Sequence, residues 1–222
     1  MRIDPAGYPF IFGAILLATL VGWLSTWTFS VPLLILAGFF LFFFRDPDRA
    51  VTDSPASVLS PADGRVMVAG PVTQQQIPAG DWQQISIFLS PMDVHVNRMP
   101  VGGRITKVHY HPGRFLPAYK AEAGDLNEYT EVWVDHFGQT IVFRQIVGIL
   151  ARRIVCRARE GDVVKAGERF GVMKFGSRMD IYLPVTAAIL VKPGDKVVGG
   201  VTVIARLAGF DDPTLRDPAT AP

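Results

Sequence analysis

The chain has 222 residues, 49% of them hydrophobic, with 22 Lys and Arg against 20 Asp and Glu and a formal net charge of +2. That length allows one sizeable domain plus an appendage, and near-balanced charge without a basic run excludes the usual electrostatic footprint of a nucleic-acid binder. A single cysteine, Cys156, excludes an internal disulfide and agrees with a reducing compartment.

No charged residue occurs from Ala6 to Phe44. As one helix this run would reach about 58 Å, nearly twice a hydrocarbon core of about 30 Å. A membrane-anchoring helical hairpin over residues 1–45 is therefore predicted, broken between Ser25 and Pro32, with Trp23 and Trp27 at an interface. The second segment, Val31 to Phe44, spans only about 21 Å as a helix. Arg2 precedes the run, Arg45 and Arg49 follow it, and the intervening loop is uncharged. The positive-inside tendency then puts both ends, and the domain that follows, on the cytoplasmic side of the membrane.

The body, residues 46–208, reads as mostly β. Ser60-Pro61-Ala62-Asp63-Gly64 is a tight turn feeding a strand from Arg65 to Ala69, with Asp63 either a turn-former or a functional carboxylate. Ile85 to Leu89 is a buried strand. Ser90 to Pro100 then packs Asp93, His95, Asn97 and Arg98 between two prolines; in an extended run Asp93, His95 and Asn97 share one face. Val101 to His109 is a further strand. His109 and His111 lack companion ligands at zinc-like spacing, so no metal is expected. Residues 116–127 form a polar loop over a site, and 132–134 pairs with 141–143 around a turn at Asp135 to Gly138 that contains His136.

Arg152 and Arg153 offer forked donors suited to a phosphate, or are solvated charges at a strand end. Cys156 lies in an alternating, strand-like run and reads as structural. Gly161-Asp162-Val163-Val164 is echoed by Gly194-Asp195-Lys196-Val197-Val198, which predicts a compact β-sandwich or barrel with Gly-Asp turns. The tail, residues 209–222, has too little apolar content to pack.

Between the two echoes lies Lys174-Phe175-Gly176-Ser177. A Ser hydroxyl can attack the preceding carbonyl, and Gly, lacking a Cβ, exposes that carbonyl and tolerates the geometry. Two families compete for this region. The C-terminal half resembles biotinyl and lipoyl carrier domains, with Met173-Lys174 matching the acceptor pair; this alternative makes the chain a membrane-tethered carrier modified at Lys174. It covers only residues 161–207.

The chain as a whole resembles the phosphatidylserine decarboxylases, in particular their short bacterial members. Arg45-Asp46-Pro47, Ser60 to Gly64, Leu89 to His95, the arginine segment from Gln145 to Val155 and Phe175-Gly176-Ser177 follow in the family's order. The resemblance implies self-cleavage between Gly176 and Ser177 into a β-chain, 1–176, and an α-chain, 177–222. The products would stay associated, with further oligomerisation left open. It also implies a covalent pyruvoyl cofactor derived from Ser177, with His95 as base and Asp63 orienting it. The activity implied is decarboxylation of the membrane lipid phosphatidylserine to phosphatidylethanolamine through a Schiff base. Arg98, Arg152 and Arg153 are the candidate substrate-binding residues; in longer members a second His stands at the place of Arg98. If the hairpin is only a tether, deleting everything before Arg45 should spare self-cleavage and depress turnover on bilayers alone.

Overall fold

The structure is a computed structural model that describes residues 2–51, 54–72, 81–149, 153–174 and 176–210. Arg152, Phe175 and most of the C-terminal tail, named above, lie outside these residues.

A short strand β1 (Arg2–Ile3) precedes α1 (Tyr8–Leu24) and α2 (Trp27–Phe43). The two helices form a hairpin because small residues line their contact: Ala14, Ala18 and Ala37 are buried, and the buried Ser30 hydroxyl donates to the Ala18 carbonyl at 2.7 Å. Their outer surface is apolar and open, with Trp23 80% and Trp27 75% exposed at the tip. The break is narrower than expected. Pro32 lies inside α2 rather than at the turn, where it costs the helix one hydrogen bond. Pro5–Leu24, 20 residues, is long and apolar enough to cross a membrane by length and composition; α2 is shorter.

The body is mostly β. Its strands are β2 (Arg45–Asp46), β3 (Ser57–Leu59), β4 (Gly64–Pro71), β5 (Trp82–Leu89), β6 (Val96–Arg98) and β7 (Gly103–His111), followed by a helical turn α3 (Ala123–Leu126). Then come β8 (Tyr129–His136), β9 (Gln139–Ile146), β10 (Ile154–Cys156), β11 (Val163–Val164), β12 (Arg169–Met173) and β13 (Ser177–Pro184). Last are β14 (Ala188–Ile189), β15 (Lys196–Val197) and β16 (Val203–Arg206).

Eight strands form one sheet in the order β11-β7-β8-β9-β13-β5-β4-β15, flanked by three-stranded sheets β10-β12-β6 and β14-β16-β3. Strands from the C-terminal half are thus threaded among those of the N-terminal half. Alternation along β13 gives it two buried faces. Met179, Ile181 and Leu183 join Ile85, Ile87, Leu89 and Phe143 in the main core, whereas Arg178, Asp180 and Tyr182 face the opposite way. The Gly-Asp echo forms two matching turns. Gly161 and Gly194 take positive φ of 91° and 98°, and the Asp162 and Asp195 carboxylates each accept an amide three residues back, both at 3.0 Å. His136, read as a turn residue, is instead buried at the end of β8 against the carbonyl oxygens of Gly102 and Pro55.

The base of the hairpin belongs to the body. Phe43, Phe44 and Val172 form a fully buried cluster against Ile3, Phe10, Phe39, Phe40 and Val155. β1 pairs with β2, the Asp4 amide donates to the Phe44 carbonyl, and Arg157 grips the Asp4 carboxylate with bonds of 2.7 and 3.0 Å. Asp46 is held by Arg98 and Arg169. The boundary expected at residue 45 therefore runs through a packed interface.

Candidate active site

Ser177 opens β13, opposite Leu89 of β5. Four residues earlier Met173 closes β12, and its amide donates to the His95 carbonyl at 3.3 Å. β12 lies in the sheet beside His95 and β13 in the central sheet, so two distant sequence motifs come close at this point in the chain. Gly176 has φ of +72°, the left-handed region that an L-side chain rarely adopts. Its carbonyl oxygen lies against Gly148, just beyond β9, where an added methyl would overlap that oxygen. Gly148→Ala is accordingly expected to displace the Gly176 carbonyl and slow appearance of the two fragments at least tenfold. Wild-type fragment yield in that variant would show that the close approach is incidental.

His95 is wholly buried, with its ring centroid 4.1 Å from that of Phe43 at the end of α2. Its Nδ1 lies 2.9 Å from the Asp93 carbonyl oxygen. A carbonyl only accepts, so Nδ1 carries the proton of the neutral ring and Nε2 keeps its lone pair. Burial pushes the imidazole pKa down to about 4, against smaller opposing effects of the Asp93 carbonyl and the Asp93 and Asp63 charges; Arg45 lowers it further. His95 Nε2 and the Ser177 hydroxyl are both buried and both lack a hydrogen-bond partner. Each such group costs about 1–3 kcal/mol, which is tolerated where chemistry uses it. One is a proton acceptor and the other a donor.

A family model described as phosphatidylserine decarboxylase matches residues 36–205, a single run that takes in Asp63, His95 and Ser177. The chain belongs to the phosphatidylserine decarboxylase family. A phosphatidylserine decarboxylase proenzyme of Solibacter usitatus is 44% identical over 206 residues, covering 93% of this chain and 97% of the relative. Proenzymes of the same name from Granulibacter bethesdensis and Symbiobacterium thermophilum are 44% and 42% identical, over 91% and 90% of this chain and 84% and 94% of their own. The carrier reading has no support in these matches.

Within this member of the decarboxylase family the other expected site residues are distributed unevenly. Asp63 does not bond His95 in this structure. Arg49 grips both its oxygens, at 2.5 and 2.8 Å, and the Gly199 amide donates to Oδ1 at 2.8 Å. Asp63 reaches His95 through its charge, while the Asp93 carbonyl sets the ring's orientation. Asp93 itself turns away to cap the Ser90 amide at 2.7 Å, so the shared face expected for Asp93, His95 and Asn97 is not formed. Asn97 bonds Gln145 instead, at 2.8 Å.

Arg98 is buried and engaged with Asp46, the Pro47 carbonyl and the Gly167 carbonyl. Arg153 is exposed, and Lys174 is half-buried before the Gly176-Ser177 pair. Behind Ser177, Arg178 is buried with both nitrogens of its fork on Asp180, at 2.6 and 2.8 Å, and a third bond to the Ser86 hydroxyl at 3.1 Å. A surface cavity of about 820 Å³ lined by Val51, His136, Phe137 and Val163 contains none of these groups.

Sequence reasoning missed Phe43, Gly148 and Arg49. Phe43 and Gly148 carry no local signal, one lying in an apolar run and the other between Val147 and Ile149. Arg49 was visible as a charge following the hairpin, but its partner Asp63 was not.

Proposed function

We propose that the chain is the precursor of a pyruvoyl-dependent phosphatidylserine decarboxylase. In this reading it cleaves itself between Gly176 and Ser177 and then converts phosphatidylserine into phosphatidylethanolamine and CO₂ at the cytoplasmic face of a membrane. The supporting observation is that the Ser177 hydroxyl and His95 Nε2 are both buried and each lacks a hydrogen-bond partner, with Gly176, the residue before Ser177, held at a left-handed φ. Family membership and the proenzyme names of the relatives point the same way.

His95 Nε2 takes the Ser177 hydroxyl proton as the oxygen adds to the Gly176 carbonyl carbon. The amide C–N bond breaks, the proton passes to the freed nitrogen, and an ester replaces the peptide. His95 Nε2, free again, takes the Ser177 α-proton as the Gly176 carboxylate leaves, and addition of water to the resulting enamine, after its tautomerisation, releases ammonia and leaves a pyruvoyl group at position 177. That group supplies an electron sink for the pair of electrons left on the substrate as CO₂ departs. Cleavage also separates Gly176 from position 177, which is otherwise enclosed, and so opens a route for the headgroup. With Arg98 engaged at the hairpin exit, His95 Nε2 takes the proton that the substrate ammonium sheds and returns it in the final protonation. The new α-chain stays docked because β13 is bonded on both edges and Arg178 is tied to Asp180 and Ser86.

Intact mass under denaturing conditions, alongside CO₂ release from phosphatidylserine vesicles, tests the reading. Two fragments, residues 1–176 and 177–222 with a blocked N-terminus on the second, are expected; a single unsplit chain that still decarboxylates would overturn it. Because His95 stays neutral down to about pH 4, self-cleavage of precursor made by cell-free synthesis should be flat from pH 8 to about 5.5 and fall below. Stability follows the same group. The folded pKa lies below the unfolded value near 6.5, so the unfolded chain takes the proton first. A contribution of about 3 kcal/mol, present above pH 6.5, is lost as the pH falls toward 4. His95→Gln should flatten this part of the stability curve in denaturant titrations.

A further inference from the structure

Met173-Lys174, the pair that resembles a carrier's acceptor motif, has no role in the chemistry above. Its placement is nonetheless unusual for a lysine. Lys174 lies on the connection from β12 to β13, three residues before Ser177, with its side chain half-buried. The ammonium stands 4.7 Å from the centroid of the Phe10 ring, near the start of α1. Burial lowers its pKa and the Arg153 charge lowers it further. Asp4 is the carboxylate whose charge opposes this, and it is already gripped by both arms of Arg157. A half-buried ammonium that rests on a ring face and makes no ion pair among the described residues is a site open to an anion.

We infer that Lys174, with Arg153 beside it, holds the phosphodiester of the lipid headgroup. The inference rests on the decarboxylase reading and names the part of the substrate that this corner of the site takes. Two placements favour it. Phe10 belongs to the buried base of the hairpin, from which α1 runs outward with an open apolar surface, so the ammonium sits where acyl chains alongside the helices would leave their phosphate. In the serine headgroup the amine and the phosphorus are only a few bonds apart. A phosphate fixed at Lys174 therefore presents the amine toward position 177. Lysine suits the task as a compact charge on a flexible stem that follows the phosphate without demanding a fork geometry.

Competitive acetylation of the processed wild-type enzyme tests the assignment without altering it. Glycerophosphocholine, a phosphodiester with no reactive amine, should slow acetylation of Lys174 at least fivefold and leave the exposed Lys107 and Lys196 unaffected, read by peptide mass spectrometry. Lack of protection, or equal protection by inorganic phosphate at the same concentration, would overturn the assignment; the second result would mark a free-phosphate site. In mixed micelles, Lys174→Met should raise KM for phosphatidylserine at least tenfold with kcat within threefold, and Lys174→Arg should recover most of the loss. An unchanged KM in fully cleaved Lys174→Met would also overturn it. Fragment formation and CO₂ release by the wild type report on the parent reading separately, and the protection experiment decides if Lys174→Met fails to mature.

Discussion

Ser177→Ala is expected to yield one chain of about 24 kDa, residues 1–222, with decarboxylation at least ~10⁴-fold below the processed enzyme. The physical grounds are separable from a folding defect. Ser177 is fully buried and its hydroxyl has no partner, so replacing it with a methyl removes an unsatisfied group rather than a bond. An unpartnered buried hydroxyl costs about 1–3 kcal/mol, and the variant precursor should therefore be as stable as an uncleaved wild-type chain, or more so by about 1 kcal/mol. The backbone ladder to Leu89 and the Arg178 pair to Asp180 do not depend on the hydroxyl. A Ser177→Ala chain that still splits, or one that is unfolded by circular dichroism, would contradict this account in two different ways.

The second large effect concerns the hairpin. If it were only a tether, removal of residues 1–44 would leave self-cleavage intact, as the sequence suggests. The structure leads to the opposite expectation. Truncation strips off Phe43 and Phe44, both fully buried, uncovers Val172, and removes the ring packed on His95. It also leaves Arg157 without Asp4. Losing a buried Phe side chain typically costs about 3–5 kcal/mol, and the pair together approach the whole stability of a domain, about 5–15 kcal/mol. The truncated chain should therefore fail to mature, or mature at least ~100-fold more slowly.

Two further variants separate anchor from wall. Replacing only the distal hairpin, residues 14–36, with a short Gly/Ser link keeps Ile3 to Phe10 and Phe39 to Phe44; this chain should still cleave itself but lose retention on vesicles. Phe43→Ala keeps the anchor and should slow cleavage about tenfold while lowering the melting temperature. Wild-type cleavage by the chain lacking residues 1–44 would show that the hairpin base contributes nothing to the site.

How much of this was legible beforehand depends on the range of each interaction. The strands around Ile85, Val132 and Ile141, the Gly-Asp turns and the apolar hairpin are written in local periodicity, and each formed where that periodicity placed it. The chemistry proposed for Gly176-Ser177 and His95 could be read from their own atoms, and their motifs stand in the order that the resemblance to the family led us to expect. Pro32 was misread because a proline near the start of a helix looks, in sequence, like a proline that ends one. The Asp93, His95, Asn97 face was expected from period-2 alternation, but Asp93 caps a turn and strand pairing starts only at Val96.

The sequence by itself determined the residue types, the turn chemistry, the apolar hairpin and the Gly176-Ser177 pair on which the proposed cleavage rests, because all of these follow from neighbours within a few positions. Only the tertiary structure decided which groups meet. It put Phe43 of an apolar run on His95, Arg49 on Asp63, Gly148 against the Gly176 carbonyl and Lys174 over Phe10. Those contacts join residues from 14 positions apart, Arg49 and Asp63, to more than a hundred, Lys174 and Phe10, and they depend on how the strands are ordered in the sheets. Nothing in local propensity fixes that order; it is set by which arrangement buries the most apolar surface while leaving the fewest polar groups without partners.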